Sequence, residues 1–295
     1  MPADPRRDTR GIVDASGLLT RVRFRRHAPA EPLRPYLEHY WLIDWDLTEP
    51  YVSHVVPHPS VNVVFQRLPG QPPFGEVAGV GLGLFRKELR GRGRVCGAQF
   101  RPGGFRPFAP GLAVAELTGR QVPVGDVWPP PVTGGKPEAS PVAGGKPEAS
   151  PVAGGKPGAG TAEAVLGPDD EHARVAALDT FLLRHGPAPD PQADLAMELA
   201  ARVRADRTLR RVGDLAHQAG LSVRSLQRLF SAYVGVSPKW VILRYRIHEA
   251  LERAESTADV DWAALAASLG YADQAHLVRD FTATVGVPPT AYAAA

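Results

Sequence analysis

Arg224, Gln227 and Arg228 stand three residues and one residue apart in the stretch VRSLQRLF, residues 223–230. On a helix of 3.6 residues per turn they share one face with Ser231, while Leu226, Leu229, Phe230 and Tyr233 share the opposite one. A guanidinium can bond the O6 and N7 of guanine together, and a carboxamide the N6 and N7 of adenine. The polar face therefore carries groups suited to reading base edges in a major groove. An ordinary solvated helix face has a similar composition, so the surrounding elements must decide between the two readings.

Those elements are written twice. Gln274 to Phe281, QAHLVRDF, repeats the Leu, Arg and Phe spacing of the first stretch. Outward from it, Leu215-Ala216 recurs as Leu265-Ala266, Gly220 as Gly270, and Gly235-Val236-Ser237-Pro238 as Gly286-Val287-Pro288-Pro289. Each copy reads as a short helix, a turn at glycine and a second helix that stops before a proline, with Ser222 and Asp273 placed as N-caps. The second copy has Leu277, Phe281 and Val285 as its core stripe and Gln274, Ala275, Val278, Arg279 and Thr282 facing outward, so it carries fewer polar readers. Between the copies, Pro238 to Ala254 reads as one helix of ~25 Å. A spacer of that order can present two reading helices to successive major grooves, ~34 Å apart.

Charge follows the same division. Eight basic residues, Arg207, Arg210, Arg211, Arg224, Arg228, Lys239, Arg244 and Arg246, face a single acid, Asp214, between positions 207 and 246. From Ile247 onward two arginines face seven acids. The first copy is thus the expected phosphate-binding surface, with Arg207, Lys239 and Arg244 as candidate contacts. The net charge of +3 over the whole chain is too small to indicate a partner.

The segment LAHQAGLSVRSLQRLFSAYVGVSPKWVILRYRIHEAL, followed by LAASLGYADQAHLVRDFTATVGVPPTAY, resembles the DNA-binding domain of the AraC/XylS transcriptional regulators over about residues 207–292. The resemblance implies a tandem helix-turn-helix that binds double-stranded DNA at promoter or operator sites. Carried over position by position, it implies base contacts at Arg224, Gln227 and Arg228, then at Gln274, Ala275, Val278 and Arg279; Ser231 and Lys239 complete the expected DNA-binding set. It also implies a second domain that binds an effector or pairs protomers, so that a small-molecule effector and RNA polymerase are candidate partners of a monomer or homodimer. Sequences PLRPYLEHYWLIDW, VVPHPSVNVVF and GAQFRPGGFRPFA are similar to poorly characterised sensor domains of cupin-like outline.

The residues upstream give the expected organisation. Positions 1–20 lack hydrophobic periodicity and read as a disordered tail. From 21 to 127, the runs VRFRRH, YWLIDWDL, YVSHVV, VNVVF, VAGVGL and VCGAQF alternate with Pro- and Gly-rich turns, which predicts a small β-barrel or sandwich. Positions 128–168 read as a flexible linker around three decapeptides, PVTGGKPEAS, PVAGGKPEAS and PVAGGKPGAG. Two connecting helices are expected over 169–206, followed by the DNA-binding domain at 207–295. The expected class is α+β with two domains, β-rich first and all-α second.

Other candidate chemistry is thin. Trp41 and Trp45, four apart on a strand, point to one face where they could line an apolar effector pocket, and Arg101 and Arg106 flank a Gly-Gly turn able to cradle an anion. His54 and His58 are also four apart, but Pro57 and Pro59 interrupt the strand and no third ligand lies nearby, so no metal site is assigned. The G-x-G in GVGLGLF lacks a following helix, and no Ser, His and Asp spacing implies a catalytic triad. A cupin-type metalloenzyme with an appended helical domain is the rival reading; the leading one involves no catalysis and no cofactor. The lone Cys96 excludes an internal disulfide, no apolar run reaches membrane-spanning length, and MPADPRRDTR lacks the apolar stretch of a signal peptide, which together imply a cytoplasmic, nucleoid-associated protein without a membrane partner.

Overall fold

The computed structural model describes residues 11–129, 159–256 and 260–293. Helix α1 (Ala15–Leu19) leads into six strands, β1 (Val22–His27), β2 (Leu37–Val55), β3 (Asn62–Arg67), β4 (Phe74–Ala78), β5 (Phe85–Phe100) and β6 (Gln121–Pro123), then α2 (Val124–Val127). The strands form a single antiparallel sheet in the order β1-β2-β5-β3-β4-β6, with β1 and β6 at its edges, so the region is β-rich as expected but is one sheet and not the expected barrel or sandwich. Two runs that read as separate strands, YWLIDWDL and YVSHVV, are one 19-residue strand with a register shift between Leu47 and Tyr51. Pro50, which has no N–H to give, falls within that irregularity. Beyond Ala78 the run VAGVGL is loop.

Alternation along the strands buries both faces of the sheet. Tyr40, Leu42, Phe65, Cys96 and Ala98 face one cluster, and Trp45, Val64 and Val95, with the partly buried Trp41 and Ile43, face another. The first cluster is covered by α3 (Ala159–Leu166) and α4 (Glu171–His185), through Ala162, Val165 and Leu166 and through Leu178, Phe181 and Leu182. The second is covered by the chain start, where Ile12 and Leu18 are buried and Ile12 bridges to Val55.

Two expectations change here. Residues 11–20 are ordered against the sheet because Ile12 and Leu18 supply enough apolar surface to hold them; residues 1–10 lie outside the described residues. Likewise the stretch after the decapeptides is helix α3, whose small apolar side chains fit flat on the sheet; residues 130–158, with most of the decapeptides, lie outside the described residues. A deletion of residues 131–158 that spares α3 is expected to leave the melting temperature nearly unchanged. Replacing Val165 and Leu166 by Ala is expected to cost ~2–5 kcal/mol, measured by urea denaturation.

Asp44 of β2 fixes α4 to the sheet. Its carboxylate accepts from Arg25 of β1, from Arg94 of β5 at 2.7 Å and from Arg174 of α4 at 3.0 Å. Glu171 pairs with Arg25 at 2.6 Å and Asp169 with Arg94 at 3.0 Å, so three guanidiniums and three carboxylates join the edge and centre of the sheet to the first turns of the helix. Arg174 is only 2% exposed.

The remaining helices are α5 (Pro191–Ala205), α6 (Val212–Gln218), α7 (Val223–Tyr233), α8 (Pro238–Ser256), α9 (Trp262–Ser268), α10 (Gln274–Val285) and α11 (Pro289–Ala293). The two connecting helices are therefore found, but they belong to different cores. Whereas α4 packs on the sheet, α5 contributes Ala193, Ala196, Leu199 and Val203 to the cluster that holds Leu226, Leu229 and Phe230. The helical unit thus begins before Arg207. Among the described residues no helix is long and apolar enough to cross a membrane.

Candidate nucleic-acid interface

Helices α6 and α7 and helices α9 and α10 form two helix-turn-helix units of matching geometry. In the first, Leu221 N–H donates to Ala216 O at 2.9 Å; in the second, Tyr271 N–H donates to Ala266 O at 2.9 Å. Gly220 at φ +64° and Gly270 at φ +76° occupy the left-handed conformation these turns require, which explains glycine at both positions. Ser222 Oγ accepts from Ser225 N–H at 3.1 Å and the Asp273 carboxylate from His276 N–H at 2.8 Å, so both expected N-caps are present.

The faces of the two second helices divide as their period requires. In α7, Leu226, Leu229, Phe230 and Tyr233 are buried, while Arg224, Gln227, Arg228 and Ser231 are exposed. In α10, Leu277, Phe281 and Val285 are buried; Gln274, Ala275 and Arg279 are exposed, and Val278 and Thr282 are half-buried. Lys239 is exposed in the first turn of α8.

The basic surface is smaller than the charge run suggests. Arg244 is 5% exposed, donates to Leu82 O at 3.1 Å and lies 4.4 Å above the Trp240 ring, where burial lowers its pKa to about 10. It is therefore not a phosphate contact in this arrangement, contrary to the expectation from charge. Arg210 donates to Ser268 O at 2.8 Å and Arg246 to Arg210 O at 3.0 Å, so these two arginines tie the first copy to the turn of the second. Arg207 pairs with Glu249 at 2.7 Å. What remains exposed without an ion-pair partner among the described residues is Arg211, Arg224, Arg228 and Lys239. Sequence could not separate these groups, because a run of arginines does not show which of them the fold will cover.

The expected effector pocket is not assembled. Trp45 is a core residue whose ring lies on Gly93 of the neighbouring strand, its Nε1–H donating to Arg90 O at 3.1 Å. Trp41 covers Gly97 in the same way and donates to Asn62 Oδ1 at 3.3 Å. Both do share a face, as their spacing requires, but they fill the space left by two glycines rather than line a cavity. Arg101 and Arg106 do not converge on an anion site either. Arg101 is exposed and donates to Arg34 O at 3.2 Å, whereas Arg106 sits 4.4 Å above the Tyr233 ring of α7. The Gly-Gly turn between them meets the helical unit, with Gly103 against Met197 of α5.

His58 stacks on His248 of α8, ring centroids 4.1 Å apart, rather than acting with His54. Among the described residues no three His, Cys, Asp or Glu side chains are grouped to hold a metal ion. A cavity of about 130 Å³ opens beside the stacked pair, between His58, Arg204, Leu209, Tyr245, Glu249 and Leu269.

Comparison with known proteins matches two separate parts of the chain. Residues 25–123 match a domain of unknown function, DUF6597, and residues 215–295 match a helix-turn-helix domain family. The HTH-type transcriptional regulator Rv1931c of Mycobacterium tuberculosis is 35% identical over 82 residues, a match that spans 28% of this chain and 31% of that protein. Among solved structures, ToxT from Vibrio cholerae O395 is 10% identical with a TM-score of 0.39, covering 86% of this chain and 96% of its own. Wild-type ToxT of V. cholerae strain SCE256, bound to an unsaturated fatty acid, is 12% identical with a TM-score of 0.38, covering 86% and 94%.

Proposed function

We propose that this chain, whose residues 215–295 match a helix-turn-helix domain family, is a sequence-specific DNA-binding transcriptional regulator of the AraC type. The observation that carries the reading is the pair of capped helices α7 and α10, each with an apolar face buried and a second face open, in two helix-turn-helix units joined by helix α8. Arg224, Gln227 and Arg228, with Ser231 beside them, read base edges in one major-groove segment, and Gln274, Ala275, Val278 and Arg279 contact the next. Ala275 and Val278 lack side-chain hydrogen-bonding groups, so they contribute apolar contact, as to a thymine methyl, rather than donors. Lys239 and Arg211 supply phosphate contacts. The N-terminal sheet domain, which touches the end of α7 through Thr118 and α8 through Leu82 and His58, is where control by a small-molecule effector would act, at a site other than the Trp41–Trp45 and Arg101–Arg106 positions.

Salt titration of binding to a selected operator tests this assignment. Removing one phosphate-neutralising side chain should reduce the slope of log K against log salt by ~0.9. Lys239→Ala is expected to show that reduction, whereas Arg244→Ala, which removes a buried residue, is expected to keep the parental slope. Salt-independent binding by the parent protein would refute the phosphate contacts, and failure of the parent protein to bind any selected duplex would refute the DNA-binding reading.

A further inference from the structure

The sheet domain and the helical unit meet along α8, the helix that spaces the two readers. Helix α8 gives Val241 and Ile242 to the core of the first copy and Ile247, Ala250, Leu251 and Ala254 to that of the second. The two cores are separate clusters, and the cavity beside Leu209 and Leu269 lies between them. Besides the bonds of Arg210 and Arg246 and the Arg207–Glu249 ion pair, the junction depends on the middle of α8.

Loops of the sheet domain grip that middle. Arg244 donates to Leu82 O at 3.1 Å, and one turn further His248 Nε2 lies 3.3 Å from Pro57 O, a carbonyl that can only accept. His58 stacks on the His248 imidazole at an interplanar angle of 27°. The same two loops reach into both cores. Val80 is fully buried in the cluster of the first copy and Val56 in that of the second, where Leu84 packs beside it. A third contact holds the end of α7, with Thr118 Oγ1 donating to Gly235 O at 2.7 Å.

We propose that the sheet domain is a working part of the DNA reader: through loops 56–61 and 79–84 it braces α8 between the two helix-turn-helix cores and so sets the half-site separation the protein accepts. Val56 and His58 are positioning residues in this scheme, since they touch α8 and the second core and lie on neither reading face. The inference rests on the DNA-binding function proposed above. It goes beyond it by assigning spacing specificity to residues outside the helix-turn-helix units. One side of the grip is also weakly held: Arg244 is buried, its Nη1 makes no hydrogen bond, and no acid among the described residues pairs with it.

The test uses the full chain and three duplexes: the site it selects, that site with one base pair inserted between its halves, and the half-site read by α7 alone. Wild type is expected to lose about tenfold or more in affinity on insertion, because one half of the contacts falls out of register. His58→Ala and Val56→Ala are expected to lose at most about threefold on insertion while binding the single half-site as wild type does. His58→Phe, which keeps a ring against His248, should restore the wild-type spacing penalty. An unchanged penalty in both alanine variants overturns the proposal, as does a wild type indifferent to the insertion. A uniform loss on all three duplexes also counts against it, since that reports damage to the readers themselves. Failure of wild type to select any sequence would instead bring down the DNA-binding function on which the proposal rests.

Discussion

Asp44→Ala is expected to destabilise the protein by ~3–5 kcal/mol, because it strands three guanidiniums, one of them on a residue 2% exposed, around the space left by their shared carboxylate. At the scale of a chain this long, that corresponds to a fall in melting temperature of roughly 6–20 °C, measured by calorimetry. The loss should be cooperative across β1, β5 and α4, since Arg25, Arg94 and Arg174 come one from each. The same site gives a pH dependence of known sign. Burial disfavours ionisation of Asp44, but hydrogen bonds from Arg25, Arg174 and Arg94 outweigh it and hold the carboxyl below its ordinary pKa. The unfolded chain therefore binds the proton more readily, and the contribution of Asp44 is present above about pH 4 and lost as pH falls through the lower folded value. Wild type should lose stability over that acid range more steeply than Asp44→Ala, and parallel acid curves for the two would refute the assignment.

Arg228→Ala should weaken binding to the selected operator by ~1–3 kcal/mol and relax the preference at one or two base pairs, the loss expected for one bidentate arginine–guanine contact. Arg279→Ala should cost less. Arg228 is exposed beside Arg224 and Gln227 on α7, whereas Arg279 on α10 is flanked by Ala275 and Val278 and has Asp280 next to it. Residual preference in the second half-site would then come from apolar contact by Val278 or from DNA shape. Equilibrium binding of both variants to duplexes altered in one half at a time measures the difference. A larger loss with Arg279→Ala would contradict the unequal division while leaving two readers in place.

Much of the helical unit was legible because its constraints are local. The Leu-Ala pairs, Gly220 and Gly270, Ser222 and Asp273, and the buried stripes of α7 and α10 are fixed by helical period, turn conformation and capping, all properties of short sequence windows. The sheet was legible as strands but not as a layout. That YWLIDWDL and YVSHVV are one strand depends on β5 running the length of both, and no local signal carries that pairing.

The functional surface shows the same division. The outward residues of the reading helices follow from period alone, yet the fates of Arg210, Arg244 and Arg246 depend on the carbonyls of Ser268, Leu82 and Arg210. Trp41 and Trp45 pointed to one face, as an alternating strand requires. Whether that face held a pocket turned on Gly97 and Gly93, which become their neighbours only through the register of β2 with β5. Arg106 illustrates the point most simply: beside a Gly-Gly turn it resembles an anion ligand, and in the fold it rests on Tyr233 of a helix 127 residues further along the chain.

Selection of random duplex DNA by the full-length protein, read as base preference at each position, tests the central claim most directly. Two readers braced on one helix predict a single asymmetric site with two blocks of preference about one helical turn, 10–10.5 base pairs, apart, the block read by α7 being the stronger. A single block, or enrichment without sequence preference, would contradict it.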